Sequence, residues 1–123
     1  MQIGLIEDDA AIREMLQLVL LDAGFTITTY ATAEECLQAL RATREQALLP
    51  IDVLIADLRL PGSMSGIELI RYIRDNLHLD SLPIILTTAV TFTDTEELKR
   101  LHVTLLEKPF DIDEVVEALK RLV

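Results

Sequence analysis

A carboxylate follows a short apolar run near the middle of the chain. Residues 53–56 (Val-Leu-Ile-Ala) are wholly apolar, Asp57 ends the run, and Pro61 and Gly62 form a turn soon afterwards. A run of this kind is typical of a strand that is covered on both faces, as in a parallel sheet. Ligands bind at the carboxyl ends of strands in open α/β sheets. Asp57 is therefore a candidate functional residue; on position alone, it could equally do no more than cap a loop.

A second acidic group follows the first apolar run, where Glu7-Asp8-Asp9 comes directly after residues 2–6. If Glu7 or Asp8 lies beside Asp57, two carboxylates about 4 Å apart repel by roughly 4 kcal/mol at an effective dielectric near 20. Such a cluster needs a shared proton, a cation or nearby bases to offset the repulsion. Since the site offers oxygen ligands and neither His nor Cys, it favours a hard ion, most simply Mg²⁺ rather than Ca²⁺.

Two further residues with suitable chemistry come at the ends of later strands. Thr88 follows residues 83–87, and Lys108 follows residues 103–106 just before Pro109. A hydroxyl, an ammonium, a metal and a carboxylate on one rim predict phosphoryl transfer, with Asp57 as the nucleophile. Mg²⁺ and Lys108 would neutralise the oxygens of the transferred group. We expect a cis peptide bond at Lys108–Pro109, where the chain must turn sharply.

The hydrophobic pattern predicts the elements that must position these residues. Strands are expected at residues 2–6, 25–30, 53–57, 83–87 and 103–106, and each is followed by an amphipathic stretch at helical spacing. The second helix fades near Gln46, the third runs from Gly66 to Leu77, and the fourth from Thr93 to Arg100. The last carries its inward stripe on Ile112, Val115, Val116, Leu119, Leu122 and Val123.

Five successive β-α units predict a doubly wound, five-stranded parallel sheet with helices on both faces. The expected strand order is 2-1-3-4-5, with the switch point between strands 1 and 3. Strand 1 ends at Glu7-Asp8 and strand 3 ends at Asp57, so the acidic groups converge on the crevice at the switch point.

Composition limits the function classes. The 123 residues suit one domain, and the net charge of −10, from 21 acids and 11 bases, argues against a nucleic-acid surface. Cys36 is the only cysteine, so no intramolecular disulfide forms, which is compatible with a cytoplasmic location. Neither a signal peptide nor an apolar run of roughly 18 residues is visible, so no membrane span is expected.

Four stretches together resemble the receiver domain of two-component response regulators. They are Leu5-Ile-Glu-Asp-Asp9, Asp57-Leu-Arg-Leu-Pro61 with Gly66, Pro83-Ile-Ile-Leu-Thr-Thr-Ala89, and Glu107-Lys-Pro-Phe110. Each is weak alone, but four in this order at nearly the usual spacing are highly specific. The resemblance covers residues 1–123 and implies a single receiver domain with a flavodoxin-like fold.

The resemblance implies a metal site and a phosphorylation site. Asp8 and Asp57 would bind Mg²⁺ directly, Glu7 would act through water, and the main-chain carbonyl of Arg59 would be the third protein ligand. Asp9 is expected as a residue of the helix N-terminus rather than a ligand.

Asp57 would accept the phosphoryl group, Thr88 would hydrogen-bond a phosphoryl oxygen and Lys108 would pair with it. Ala89 would leave room for the phosphate. No organic cofactor is expected.

The resemblance further implies a phosphorylation-dependent signalling switch rather than an enzyme acting on other substrates. A sensor histidine kinase, a phosphotransfer protein or a small acyl phosphate would donate the group, and the face around the fourth helix and fifth strand would change. An effector domain beyond Val123 and a homodimer through the last two helices are compatible with the sequence. Direct contact of this domain with nucleic acid is not expected.

Three departures from the family pattern stand out. Gly66 follows Asp57 by nine residues, one more than is usual, and Lys108 follows Thr88 by 20 residues, about two fewer than is usual. Leu105 stands where the family usually has Tyr or Phe. We expect altered kinase docking or dephosphorylation, a short, mobile or displaced fourth helix, and a switch without aromatic coupling.

Two alternatives remain open. One is a phosphatase of the haloacid-dehalogenase type, which also uses an Asp nucleophile and Mg²⁺ but needs a second acid where Arg59 stands. The other is a degenerate receiver that acts as a phosphorylation-independent interaction module.

Overall fold

The computed structural model describes residues 1–44, 49–89 and 95–122. Strands and helices alternate along them: β1 (Gln2–Ile6), α1 (Ala10–Asp22), β2 (Thr26–Thr29), α2 (Ala33–Arg44), β3 (Val53–Asp57), α3 (Gly66–Asp75), β4 (Ile84–Thr88), α4 (Thr95–Leu101), β5 (Val103–Glu107) and α5 (Ile112–Leu122). The expected β-α alternation is confirmed. The predictions for Gln46, Thr93 and Val123 lie outside the described residues.

All neighbouring strands pair in parallel, and the sheet order is β2-β1-β3-β4-β5. This confirms the predicted order and places the switch point between β1 and β3. Asp57 lies opposite Thr87, and Thr88 lies opposite Glu107. The register therefore brings the ends of β3, β4 and β5 to one edge of the sheet.

The central strand β3 has both faces buried. Leu54 and Ala56 belong to the core layer that packs against α2, α3 and α4, whereas Val53 and Ile55 belong to the layer against α1 and α5. Each fully buried Leu or Ile contributes roughly 1.5–3 kcal/mol. An apolar strand without alternation is stable here because both layers cover it.

Side-chain caps fix the start of helices that border the site. The Asp9 carboxylate accepts from the Ile12 amide at 3.1 Å, which confirms Asp9 as a residue of the α1 N-terminus. Ser65 and Glu68 form a reciprocal capping box at the start of α3. Such caps satisfy amides that the helix itself leaves unpaired.

Two helix predictions need correction. The apolar spacing puts Ile112 on the inward stripe, but the residue is 41% exposed. It lies in the first turn of α5, where helical side chains lean toward the N-terminus and therefore away from the core. The third helix ends at Asp75 rather than Leu77.

The fourth helix is short, as predicted, with seven residues. Within the part of the chain that the structure describes, no helix is both long and apolar enough to cross a membrane.

Candidate functional site

Asp57 closes β3 and is only 7% exposed. The strand pairing continues past it, because the Leu58 amide donates to the Thr87 carbonyl at 2.8 Å. The Asp57 side chain accepts from the Arg59 amide at 3.3 Å through Oδ1. The carboxylate is thus held at the carboxyl edge of the sheet, as the sequence predicted.

Lys108 brings a positive charge to this carboxylate. Its Nζ lies 2.8 Å from Asp57 Oδ2 and 2.8 Å from Glu7 Oε1. The Lys108 amide donates to the Thr88 carbonyl at 2.6 Å, and the Lys108–Pro109 peptide bond is cis, as expected. One ammonium therefore contacts Glu7, which directly follows β1, and Asp57, which ends β3.

Glu7 is the most deeply buried acid of the site, and its side chain is 2% exposed. Neither of its carboxylate oxygens has a hydrogen bond of ordinary geometry; the contact of Oε1 with Lys108 is an ion pair. The Glu7 main chain is fixed by Arg13, whose Nη1 donates to the Glu7 carbonyl at 3.1 Å. A buried carboxylate that makes an ion pair but no hydrogen bonds lacks the contacts that would fully offset the free-energy cost of its desolvation.

Burial and the neighbouring Asp57 carboxyl raise the pKa of Glu7 to about 6, and Lys108 offsets only part of that rise. Burial alone would also raise the pKa of Asp57, but Glu7 and Lys108 outweigh it and lower that pKa. The pKa of Lys108 is raised, because its two carboxylate partners outweigh its own burial. Glu7 therefore keeps its proton to a higher pH than an isolated glutamate does, and the two acids lose their protons in separate steps.

The donor set fits a hard divalent ion. Two buried carboxylates meet at one edge, and neither Glu7 oxygen makes a hydrogen bond, although Oε1 is ion-paired with Lys108. Asp8 follows in the chain and is exposed, so its side chain is open to solvent. Among the described residues, no group of three or more His, Cys, Asp or Glu side chains is already gathered as a metal cage. Mg²⁺ does not require one, since it keeps several waters.

Thr88 and Ala89 lie where the sequence placed them. Thr88 ends β4 and is 1% exposed, while Ala89 is exposed at the same edge. The structure therefore brings Glu7, Asp57, Thr88 and Lys108 to one rim.

Comparisons with known proteins agree with this geometry. The family model for the response regulator receiver domain matches residues 3–120. The chain belongs to the response regulator receiver family.

Several curated relatives of this receiver domain are transcriptional regulators. The DNA-binding transcriptional regulator NtrC of Escherichia coli K12 is 34% identical over 98% of this chain and 24% of its own length. The transcriptional regulatory protein FixJ of Bradyrhizobium diazoefficiens is 32% identical over 96% of this chain and 54% of its own length. The chain thus spans about a quarter of NtrC and about half of FixJ.

Solved structures share the fold over nearly the whole chain. A response regulator from Chloroflexus aurantiacus has a TM-score of 0.82 with 30% identity, covering 98% of this chain and 95% of its own. TrrA from Thermotoga maritima, solved in complex with Mg²⁺-BeF, has a TM-score of 0.81 with 28% identity, covering 99% of this chain and 98% of its own. Receiver domains are the signalling domains of two-component systems rather than enzymes of metabolism.

The receiver's departures from the family pattern can be located in the structure. Leu105 lies half-buried on β5 and packs against the core layer beneath α4. The extra residue falls in the loop between β3 and α3, where Gly62 has a φ of +92°. That conformation suits glycine and lets the loop turn within a short distance.

Sequence reasoning missed three features of this receiver. It gave no role to Arg13, which lies six residues after Glu7. It placed Gly66 in a motif without a physical reason; the structure supplies one, described below. It overlooked Arg74, a buried cation inside the apolar stripe of α3. A charge at an inward position of that stripe was the available signal for Arg74.

Proposed function

We propose that this receiver domain is a phosphorylation-dependent switch in which Asp57 accepts a phosphoryl group in a Mg²⁺-dependent transfer. The observation that carries the proposal is the Glu7–Lys108–Asp57 contact. Two acids from different strands share one ammonium at 2.8 Å each, and the Glu7 oxygens still lack hydrogen bonds. A purely structural cluster would be expected to satisfy those oxygens.

The transfer is a nucleophilic displacement at phosphorus. A carboxylate oxygen of Asp57 forms a bond to phosphorus while the bond from phosphorus to the donor's imidazole nitrogen breaks. The electron pair leaves on the imidazole, which takes up a proton from solvent. The product is an acyl phosphate on Asp57.

The residues of the site have separate roles in this proposal. Asp8, Asp57 and the Arg59 carbonyl would hold Mg²⁺, with Glu7 acting through water; the bound ion would supply charge neutralisation for the phosphoryl oxygens and the acids. Lys108 lies close enough to Asp57 to transfer its ion pair to a phosphoryl oxygen. The hydroxyl of Thr88, at the end of the neighbouring strand, would donate to another oxygen.

A partner histidine kinase or phosphotransfer protein fits the surface next to Lys108. A shallow, mostly apolar groove of about 330 Å³ lies there, lined by Ile12, Met15, Ala89, Lys108, Pro109 and Phe110. Apolar side chains of a docked helix could fill it and so bring a phosphohistidine to the rim. Since NtrC and FixJ are named as transcriptional regulators and are longer than this chain, we extend the proposal to control of an effector domain.

The test is covalent phosphorylation by a small donor. Incubation with acetyl phosphate and Mg²⁺ should add the mass of one phosphoryl group to the intact protein, and EDTA should prevent it. Asp57→Asn should abolish the adduct. Asp52→Asn is the matched control, because Asp52 is exposed just before the same strand and accepts from the Gln2 amide.

Other results would point elsewhere. Continuous hydrolysis of a phosphate ester, without a stable adduct, would support the phosphatase alternative. If neither small donors nor a phosphohistidine donor gives an adduct, the domain is an interaction module and the proposal is wrong.

A further inference from the structure

Gly66, the first residue of α3, lies directly against the main chain of Asp57. A Cβ atom built on Gly66 would stand 2.1 Å from the Asp57 carbonyl oxygen and 2.9 Å from its carbonyl carbon. Real Cβ atoms essentially never approach other atoms within 3.0 Å. The neighbouring atoms belong to the backbone, so no side-chain rotation can relieve the contact.

The Asp57 peptide is confined on its other sides as well. The Leu58 amide donates to Thr87 on β4 at 2.8 Å, and the Leu58 carbonyl accepts from the Gly66 amide at 2.9 Å. A residue larger than glycine must therefore displace either the start of α3 or the end of β3 by roughly 1 Å. Displacement of the strand end would move the carboxylate that Lys108 contacts at 2.8 Å.

We propose that Gly66 is a positioning residue for the Asp57 carboxylate, an inference that rests on the proposed phosphorylation of Asp57. The first turn of α3 packs directly against the Asp57 carbonyl, and this steric contact fixes the position of the nucleophilic carboxylate oxygen. A misplacement of about 1 Å at a reacting group can lower a rate by about 100-fold.

The same contact accounts for the tolerated loop length. Gly66 follows Asp57 by nine residues, one more than is usual in the family, yet it keeps its hydrogen bond to Leu58. The intervening loop, which contains Gly62 at a φ of +92°, takes up the extra residue. The constraint is thus the contact between Gly66 and Asp57 rather than the number of residues between them.

The test compares Gly66→Ala with two controls. Ser65→Ala removes the cap of the same helix without placing an atom against Asp57, and Gly24→Ala strains a glycine with a φ of +96° that has open space around it. We expect Gly66→Ala to slow phosphorylation by acetyl phosphate by about 10- to 100-fold. The phosphorylation rates of both controls should stay within about threefold of the wild-type rate, even if their melting temperatures fall as far as that of Gly66→Ala.

A spectroscopic readout separates positioning from loss of stability. The ¹⁹F resonances of beryllofluoride bound with Mg²⁺ should shift or vanish in Gly66→Ala and stay at the wild-type positions in Ser65→Ala. If Gly66→Ala is too unstable, all variants are measured in trimethylamine N-oxide, which strengthens the folded state.

Each outcome is decisive. A wild-type rate in folded Gly66→Ala, an equal loss of rate in Ser65→Ala, or a Gly66→Ala chain that stays unfolded in the osmolyte would overturn the inference. If the wild type itself forms no phosphoryl adduct, the proposed function is wrong, and the inference about Gly66 falls with it.

Discussion

Lys108 is a partly buried cation and Arg74 is a buried one, and they lie at opposite edges of the same sheet. Lys108 stands at the carboxyl edge between two carboxylates. Arg74 lies on α3 near the start of β4 and β5 and is 5% exposed. Its guanidinium donates to the carbonyls of Leu79, Leu101 and His102.

The two regions differ in how completely their polar groups are satisfied. Each nitrogen of the Arg74 guanidinium donates to a main-chain carbonyl, so two segments, one at Leu79 and one at Leu101–His102, are tied to one side chain. Around Lys108, by contrast, the oxygens of Glu7 lack hydrogen bonds and the pKa of Glu7 is raised to about 6. The satisfied cluster is suited to stabilising the fold, whereas the unsatisfied one is the candidate ligand site on which the proposed function rests.

The largest expected effect is at the satisfied edge. Arg74→Met should lower the free energy of unfolding by about 3 kcal/mol, because three carbonyls lose a charged donor and the buried Leu101 carbonyl cannot readily gain water. Urea unfolding measures it. Arg74→Lys is the control: it keeps the charge but cannot reach three carbonyls, so it should also be destabilised. If both variants lose less than about 1 kcal/mol of unfolding free energy, the Arg74 cluster does not stabilise the fold in the way that this comparison with the Lys108 cluster assumes.

The next effect is a pH dependence at the unsatisfied edge. Because the folded state raises the pKa of Glu7 from 4.5 to about 6, metal-free protein should lose stability as pH rises between those values, by at most about 2 kcal/mol. The lowered pKa of Asp57 acts in the opposite sense at lower pH, where its contribution is lost as it becomes protonated. Glu7→Gln in EDTA should remove the decline above pH 4.5, and an unchanged profile would contradict the raised pKa.

A smaller gain is expected from the nucleophile itself. At pH 7.5 without metal, where Glu7 is ionised, Asp57→Asn should raise the unfolding free energy by about 1 kcal/mol, since it removes the repulsion between the two carboxylates while Lys108 keeps Glu7 as its partner. Below pH 5 the gain should turn into a loss, because Glu7 is then protonated and the lowered pKa of Asp57 means that its ionised form stabilises the fold. Melting temperatures in EDTA at both pH values measure this; a lower midpoint at pH 7.5 would count against the crowded-carboxylate picture.

Periodicity predicted most of the fold because most of the helices and the three central strands bury a continuous stripe. The apolar run before Asp57 indicated a strand covered on both faces, and the structure buries alternate residues in two core layers. Helix ends were less predictable. Ile112 continues the apolar spacing of α5, yet at the first turn nothing packs over it closely enough to bury it.

The amino-acid sequence by itself determined the β-α order, the strand ends and the types of the chemical groups at those ends, because hydrophobic period and turn residues are local properties. The tertiary structure alone decided which atoms meet: that Lys108 contacts both Glu7 and Asp57, that Arg74 holds three carbonyls, and that Gly66 lies against Asp57. Those contacts join residues far apart in the chain, and only the packing of helices on the twisted sheet fixes their distances.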